Sequence, residues 1–544
     1  MIDPTARNRT LPADMARPGN PYEPFGSDWW LFRLNARLDA DARRLTTLDR
    51  YYRGLNDTFR LASTAAIDSG IAHLFRGLNA NLAKLVIDAA SQRLVVYGFR
   101  LRDQRGDKEA WRIWQANDMD ESSQIAHVES MVKRSCPILV EPNERDPSTP
   151  RITVQDPLNT IVETAPGDYR IRRAALKRWR EDDGTMQMTL YLPDRIEKWR
   201  ERRPGEIAGR TVRIHGGQAE MQATWVLRDM PMKTWSVAGL VVRQTPESPV
   251  KRNPIGEIPL VLIRNMPRVD GSCEAEHETV LPLFDLYNKT LLDMATSAEF
   301  GAFPQRYGIG VEGEDGEEPE TEAARQKYAG TPLSRYRQAV DSMITTPSPD
   351  ARFGQFPAVD LGNYVKALDH IRAAIGTISF TPYHLLLNMP TAVPATGEAL
   401  YAAEVGLDAR VEAHKVIKGN GWEGMTRLAF RLAGDETRAA ATASETIWKD
   451  TRPRNISSHV QALREMRQEL GLPLHAVWEK LPASPTEIER WEAWMLEEHK
   501  NLIGLVGEDL AQRTTARTIS GRQPAEPVPP VPVAPEPGLD RLSR

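Results

Sequence analysis

Two runs with helical spacing of apolar residues flank a proline-marked bridge between Val359 and Gly434, and the rest of the chain is organised around that unit. In the first run, Val359 to Ser379, Leu361, Tyr364, Leu368, Ile371, Ile375 and Ile378 recur at intervals of three and four, which gathers them on one helix face. Asp360, Asn363, Lys366, Asp369 and Arg372 fall on the other faces. The bridge, Phe380 to Gly397, holds Pro382, Pro390 and Pro394. Proline lacks an amide hydrogen and crowds the preceding turn, so a continuous helix is excluded there. The second run opens at Glu398 behind Thr396, a fair N-cap with a carboxylate in the first turn. It carries Leu400, Ala403, Leu407 and Val411, meets Gly419-Asn420-Gly421, then resumes through Trp422, Met425, Leu428 and Leu432. As one helix it would reach on the order of 50 Å, with a bend expected near Gly419. Periodicity alone fits a helix–loop–helix pair in any α-rich protein equally well.

Taken in order, residues 1 to about 26 carry Pro4, Pro12, Pro18, Pro21 and Pro24 and read as a flexible arm. A helix is expected from Ser27 through Trp29, Trp30, Leu34, Leu38, Leu48, Tyr51 and Tyr52, ending at Gly54. A second runs from Asn79 to Arg93 and passes into a strand, Leu94 to Phe99. Helical patterns follow around Trp111, Ile113 and Trp114, and through Ile125, Val128 and Met131. From Pro137 to Met266 the period shifts towards two, with strand-like segments at 138–140, 151–154, 160–162, 188–192, 211–214, 223–227 and 256–263. Basic residues (Arg172, Arg173, Lys177, Arg178, Arg180, Lys198, Arg200, Arg202, Arg203) interleave there with Trp179 and Trp199. Glu181, Asp182, Asp183, Glu197 and Glu201 sit among them, so a solvated, salt-bridged sheet surface is the expectation, ahead of nucleic-acid contact. Glu274 to Phe300 reads as a third long helix, with Pro282 tolerable only in its first turn. After Gly434, a short strand is expected at Thr446 to Asp450 and a helix from Ser457 or Ser458 to Leu470, stopped by Gly471 and Pro473. Ser484-Pro485-Thr486-Glu487 is a capping box launching a helix through Trp491 and Met495. Beyond Arg513 the chain becomes Arg/Thr-rich and then proline-rich, the pattern of a disordered tail.

With 544 residues, a hydrophobic fraction of 41% and a charged fraction of 26%, the composition is that of a soluble protein with more than one domain. No apolar stretch approaches the roughly 20 residues of a membrane span, and the N-terminus has no secretory h-region. Two cysteines, Cys136 and Cys273, exclude a disulfide framework. A formal net charge of −4 disfavours tight nucleic-acid holding, though not transient passage past DNA.

Catalytic signatures are missing. No phosphate-cradling G-x-x-x-x-G-K-[ST], no H-E-x-x-H, no Cys/His zinc spacing and no G-x-S-x-G occurs. His277 between Glu276 and Glu278 reads as a surface histidine on a helix. The acidic stretch from Glu312 to Glu322 lacks the ligand pattern of an EF-hand and reads as a solvated loop. Neither enzyme nor cofactor chemistry is indicated.

Several strings, in their order, resemble the portal proteins of tailed bacteriophages, in the SPP1-type portal family common in phages of actinobacteria. They are Tyr51-Tyr52-Arg53-Gly54, the segment Leu85 to Leu94 with Gly98-Phe99, and Trp114 to Asp120. Ile258 to Val261 with Asn265 to Arg268, and Asn288 to Met294, follow. Phe303 to Arg306, Thr381 to His384, and Thr396 to Leu400 complete the set. Thr396 stands where serine is expected, which keeps the hydroxyl cap, and the apolar bridge 385–395 is longer than the family pattern suggests.

The resemblance implies an α+β portal fold, usually twelve copies in a ring at one capsid vertex around a channel for double-stranded DNA. By analogy, 1–26 is a flexible arm, 27–273 the wing, 274–300 and 358–379 the two stem helices, and 301–357 the clip. Residues 380–397 would be the tunnel loop, 398–454 the long kinked helix and wing-return strand, 455–512 the crown and 513–544 a tail. It also implies that His384, Asn388, Met389 and Thr391 face DNA in the tunnel loop, and that Asn363, Lys366 and Asp369 face the channel from the stem. Glu312, Glu314, Asp315, Glu317 and Glu318 would meet a partner at the clip. Implied partners are a terminase large subunit, a head–tail adaptor, the major capsid protein and a scaffolding protein, in a virion assembled in the host cytoplasm and without membrane. The alternative class is a virion-associated nucleic-acid-processing enzyme or another head-morphogenesis factor.

Overall fold

The computed structural model describes residues 25–56, 75, 77–101, 106–201, 240–243, 250–302, 306–309, 352–355, 360–386, 397–450, 456–481, 483 and 486–500. The chain divides into two units, Met1–Arg464 and Glu465–Arg544.

In the first unit, helix α1 (Ser27–Tyr52) starts after an extended Gly26, with Asp28 in its first turn. It is followed by Gly54 at a positive φ of 69°, a backbone state that suits glycine. Helix α2 (Leu82–Ser91) is capped by the Asn81 side chain, and α3 (Lys108–Ala116) by Asp107. Helix α4 (Met119–Val132) follows after Asp118 in the left-handed region. Strand β1 (Val96–Leu101) lies between α2 and α3, and β2 (Ser135–Glu141) follows α4.

The larger sheet is antiparallel, in the order β4 (Thr160–Ala165), β5 (Asp168–Arg180), β6 (Met186–Tyr191), β7 (Arg195–Glu201), β8 (Leu240–Val242). Strand β9 (Val250–Arg252) pairs with the other end of β7. Both faces are covered. Ala174, Leu176, Met188, Leu190 and Trp199 pack under Trp30, Leu31, Leu34 and Leu38 of α1. Val162, Ala175 and Tyr191 pack on the opposite side against Leu139, Ile258 and Leu260. The expected solvated surface is therefore corrected in part. Trp199 is fully buried, and its indole donates to the buried Glu197 at 3.0 Å. Arg178 is buried too, paired with Asp39 at 2.8 Å. Opposite charges make these ion pairs, as expected, but the pairs on this face lie beneath α1. The segments 211–214 and 223–227 lie outside the described residues, as do Arg202 and Arg203.

A second sheet, β10 (Leu260–Arg264), β2 and β3 (Arg151–Val154), backs onto α3 and α4. Across it runs the long helix Gly397–Ala433, whose Trp422, Met425, Leu428 and Phe430 close the core with Phe99, Trp114, Ile138 and Ile263. The Trp114 and Trp422 rings meet edge-on at 5.2 Å. Strand β1 finds its partner only near the end of the unit, in β13 (Ser444–Trp448), which pairs with it antiparallel.

A 3-10 turn (Glu278–Val280) leads into helix α5 (Leu281–Ala302), so the third long helix begins at Leu281 and not at Glu274, with Pro282 in its first turn. Helix α6 (Leu361–Ser379) is capped by Asp360, whose carboxylate accepts the Gly362 amide at 2.8 Å. The two helices run antiparallel: the Ser297 and Tyr364 hydroxyls lie 3.1 Å apart, and Arg372 sits over the Tyr287 ring at 5.8 Å. Strands β11 (Arg306–Ile309) and β12 (Arg352–Gln355) pair beyond them. After α6 come a single turn, α7 (Tyr383–Leu386), then α8 (Gly397–Ala433) and the short α9 (Glu436–Ala439). Helix α8 is uninterrupted over its whole length. At Gly421 a Cβ would lie 2.6 Å from Ile263 Cδ1 and 3.3 Å from the Leu262 carbonyl, so a larger residue there requires the buried Ile263 side chain to shift.

Helix α10 (Ile456–Leu470) contains the division between the units and ends before Gly471 at φ 66°. In the second unit, α11 (Leu474–Trp478) follows Pro473, and α12 covers residues 486–500. The Trp478 and Trp491 rings pack edge-on at 6.0 Å. Ser484 and Pro485, the start of the expected capping box, lie outside the described residues, as does the tail.

Candidate channel-lining site

Helix α6 buries Leu368 and Ile375 against α5 and its surroundings and half-buries Tyr364 and Ile371, the stripe its spacing dictates. The face opposite that stripe carries Asn363, Lys366, His370 and Thr377, all exposed. Asn363 and Lys366 thus lie on the exposed polar face of the helix. Asp369 stands at its flank, half-buried, and accepts from Arg372 at 2.7 Å. His370 and Thr377 were missed from the sequence, although the same spacing brings them to this face.

The end of α6 is set by its own backbone. Phe380 adopts the left-handed region at φ 51°, and the Thr381 amide turns back to the Gly376 carbonyl at 3.0 Å. The Ser379 and Thr381 hydroxyls meet at 2.7 Å, and Arg410 of α8 donates to the Ser379 carbonyl. The helix therefore stops where the prolines require it, but a helical turn, α7, interrupts the expected loop. Leu386 of that turn is only 5% exposed and packs with Tyr51, Val86, Phe284 and Ile375 of its own chain. Ile378 and Phe380 remain 50% and 59% exposed.

His384 is engaged within the chain. Its Nε2 lies 3.3 Å from a Glu404 carboxylate oxygen, and Glu404 also takes Arg93 at 3.1 Å. Arg93 reaches Asp408, one turn along α8, at 2.8 Å. Glu404 of α8 thus holds α7, and Arg93 holds Glu404 in place. Asn388, Met389 and Thr391, and the acidic Glu312, Glu314, Asp315, Glu317 and Glu318, lie outside the described residues.

Behind the α6 terminus, α8 presents Arg410, His414, Lys418 and Trp422 at four-residue spacing, one above another along one face. All meet buried polar groups. Glu276, itself buried, receives Arg410 and accepts from His414 Nε2 at 2.7 Å and from Asn265 at 2.8 Å. Burial alone would raise the Glu276 pKa. His414, Arg410 and Asn265 win and hold it well below the usual carboxylate range. Lys418 donates to Ser130 at 2.7 Å, and burial brings its pKa down to about 8 against the pull of Glu276. Trp422 donates to His127 at 2.9 Å. His277, expected at the surface, is instead fully buried beside the Leu48 carbonyl at 3.1 Å, and burial lowers its pKa to about 4. The glutamates flanking His277 hid this: charge in sequence suggested solvent, whereas both bind buried or half-buried arginines.

The sequence profile described as "Phage portal protein, SPP1 Gp6-like" matches residues 31–500. The chain belongs to this family of phage portal proteins. Its function is that of a portal in a tailed-phage capsid. Among curated relatives, the portal protein of Mycobacterium phage D29 is 26% identical over 439 residues, covering 78% of this chain and 80% of its own. The portal protein of Mycobacterium phage L5 is 25% identical over 471 residues, covering 84% and 85%. Among solved structures, a chain from the virion of a native gene transfer agent particle aligns with a TM-score of 0.36 and 11% identity, over 72% of this chain and 89% of that one. Among the described residues no group of His, Cys, Asp and Glu could hold a metal ion, and no helix is long and apolar enough to cross a membrane.

Proposed function

We propose that twelve copies of this chain close head to tail into a ring at one capsid vertex, and that double-stranded DNA passes through its centre. The match to the portal family over residues 31–500 carries the reading. A head-to-tail contact that closes on itself yields such a ring without a twofold interface. In this reading residues 27–273 form the wing, α5 and α6 the stem, 301–357 the clip, 380–397 the tunnel loop, α8 and β13 the long helix and wing-return strand, and 455–512 the crown. The exposed face of α6, with Asn363, Lys366, His370 and Thr377, lines the channel; it offers hydrogen bonds and one fixed positive charge. Such a wall touches phosphates weakly and without sequence preference, which suits DNA that must slide.

The acidic residues Glu312 to Glu318 would lie at the outer end of the clip, where a terminase large subunit or head–tail adaptor reads their charge. The major capsid and scaffolding proteins would meet the wing during assembly in the host cytoplasm. The chain itself performs no catalysis in this account, and the packaging motor is a separate terminase. Two assays test the reading together. Purified protein should show no ATP turnover above a heat-denatured control. Deleting Asn388–Thr391, which spares the buried Leu386, should leave assemblies intact while reducing the number of filled heads. Intrinsic ATP turnover, or normal filling by the deletion variant, would contradict it.

A further inference from the structure

We propose that four arginines gathered where α8 crosses the sheets form a binding site for a phosphate-type oxyanion. They are Arg172 on β5, Arg264 on β10, and Arg427 and Arg431, one turn apart on α8. All four are half-buried. Arg172 donates to Glu257 at 2.8 Å and to the Leu260 carbonyl at 3.0 Å, and Glu257 also meets Arg431. Arg264 donates to the Tyr169 carbonyl at 2.7 Å and lies over that ring at 4.5 Å. Arg427 donates to Ser444 at 3.1 Å, and its second terminal nitrogen lies over Gly424.

Charge and donor count both leave the group short of acceptors. Each guanidinium has five N–H donors, and these contacts use a minority of them. Glu257 is shared between two of the arginines. Glu423 lies near Arg427 but takes the Thr446 amide at 3.2 Å. Like charges held together at a half-buried position repel one another, and an anion joining them relieves that repulsion. Burial, and then the charges of Arg427, Arg431 and Arg264, lower the Arg172 pKa to about 10. Planar guanidinium forks match the tetrahedral oxygens of phosphate better than any other side chain does. These residues stand on elements other than the exposed face of α6, so the site is separate from the proposed channel wall.

The test is calorimetric titration of the full-length protein with inorganic phosphate, with ionic strength held constant by sodium chloride. Saturable binding with a dissociation constant at or below about 1 mM is expected. Arg172→Gln and Arg427→Gln should each weaken it about tenfold or more, while Arg145→Gln, an exposed arginine elsewhere, should not. Arg427→Gln removes only the contact to Ser444, so it keeps the test valid should Arg172→Gln fail to fold. A second arm adds a short DNA duplex: competition with phosphate assigns the site to phosphodiesters, and lack of competition assigns it to a free anion. Absence of saturable binding, or equal affinity in Arg427→Gln and Arg145→Gln, would overturn the proposal.

Discussion

Glu276 is the residue on which the interior electrostatics turn, because Arg410, His414 and Asn265 all converge on its buried carboxylate. Glu276→Gln would leave these partners buried with their main acceptor neutralised, and should cost about 3–5 kcal/mol, read from urea unfolding. A loss below about 1 kcal/mol would show that the network is not organised around it. Two groups give pH signatures of the same sign in different windows, stability rising with pH in each. Lys418 holds its proton only to about 8 in the fold, against an ordinary value of 10.5. Between those pH values the unfolded chain carries a proton that the folded chain has released, so Lys418 contributes stability that rises with pH. His277 titrates near 4 in the fold against an ordinary 6.5, so stability falls as pH drops through that window. Unfolding temperatures of Lys418→Met and His277→Asn across pH 4 to 10 should lose the alkaline rise and part of the acid fall, respectively; slopes identical to the unsubstituted protein would refute these assignments. The four-residue spacing of Arg410, His414 and Lys418 was visible in the sequence. Their burial was not, because the partner that draws them inward lies 138 residues from His414.

At the scale of elements, helix ends marked by turn glycines were legible: α1 ends before Gly54 and α10 ends before Gly471. Each boundary is decided by residues within one turn of it. The start of α5 was misplaced because Glu274 to His277 continue the helical spacing while their side chains are drawn into tertiary contacts. Strands β5 and β7 were hidden by their charges, of which Arg178 and Glu197 are met from α1 by Asp39 and the Ser27 hydroxyl. The glycines of α8 separate two effects. Gly421→Ala meets Ile263 at 2.6 Å and should be destabilised, by about 1 kcal/mol after the helix-propensity gain is subtracted. Gly424→Ala meets Val261 at 3.4 Å, an ordinary contact, and should gain roughly 0.5–1 kcal/mol. Chemical denaturation of both variants decides it: equal effects would mean that β10 does not constrain the helix.

For the whole molecule, the portal reading was legible from the order of short strings, and the family match over 31–500 bears it out. The individual residues proposed to face DNA were less so. Sequence marks a loop by its prolines, but whether His384 points to a channel or to Glu404 depends on how α7 docks, and the structure gives it to Glu404. His384→Ala should therefore loosen the contact of α7 with α8 and increase hydrogen exchange in 383–386, whereas a residue serving DNA alone would leave that exchange unchanged. The central claim is that this chain acts as a ring around DNA. The most direct measurement is the mass of the assembled full-length protein by native mass spectrometry, with end-on electron-microscope images of the same sample. The account predicts a closed ring near twelve subunits with a central opening wide enough for a DNA duplex; a stable monomer, or a closed dimer without an opening, would contradict it.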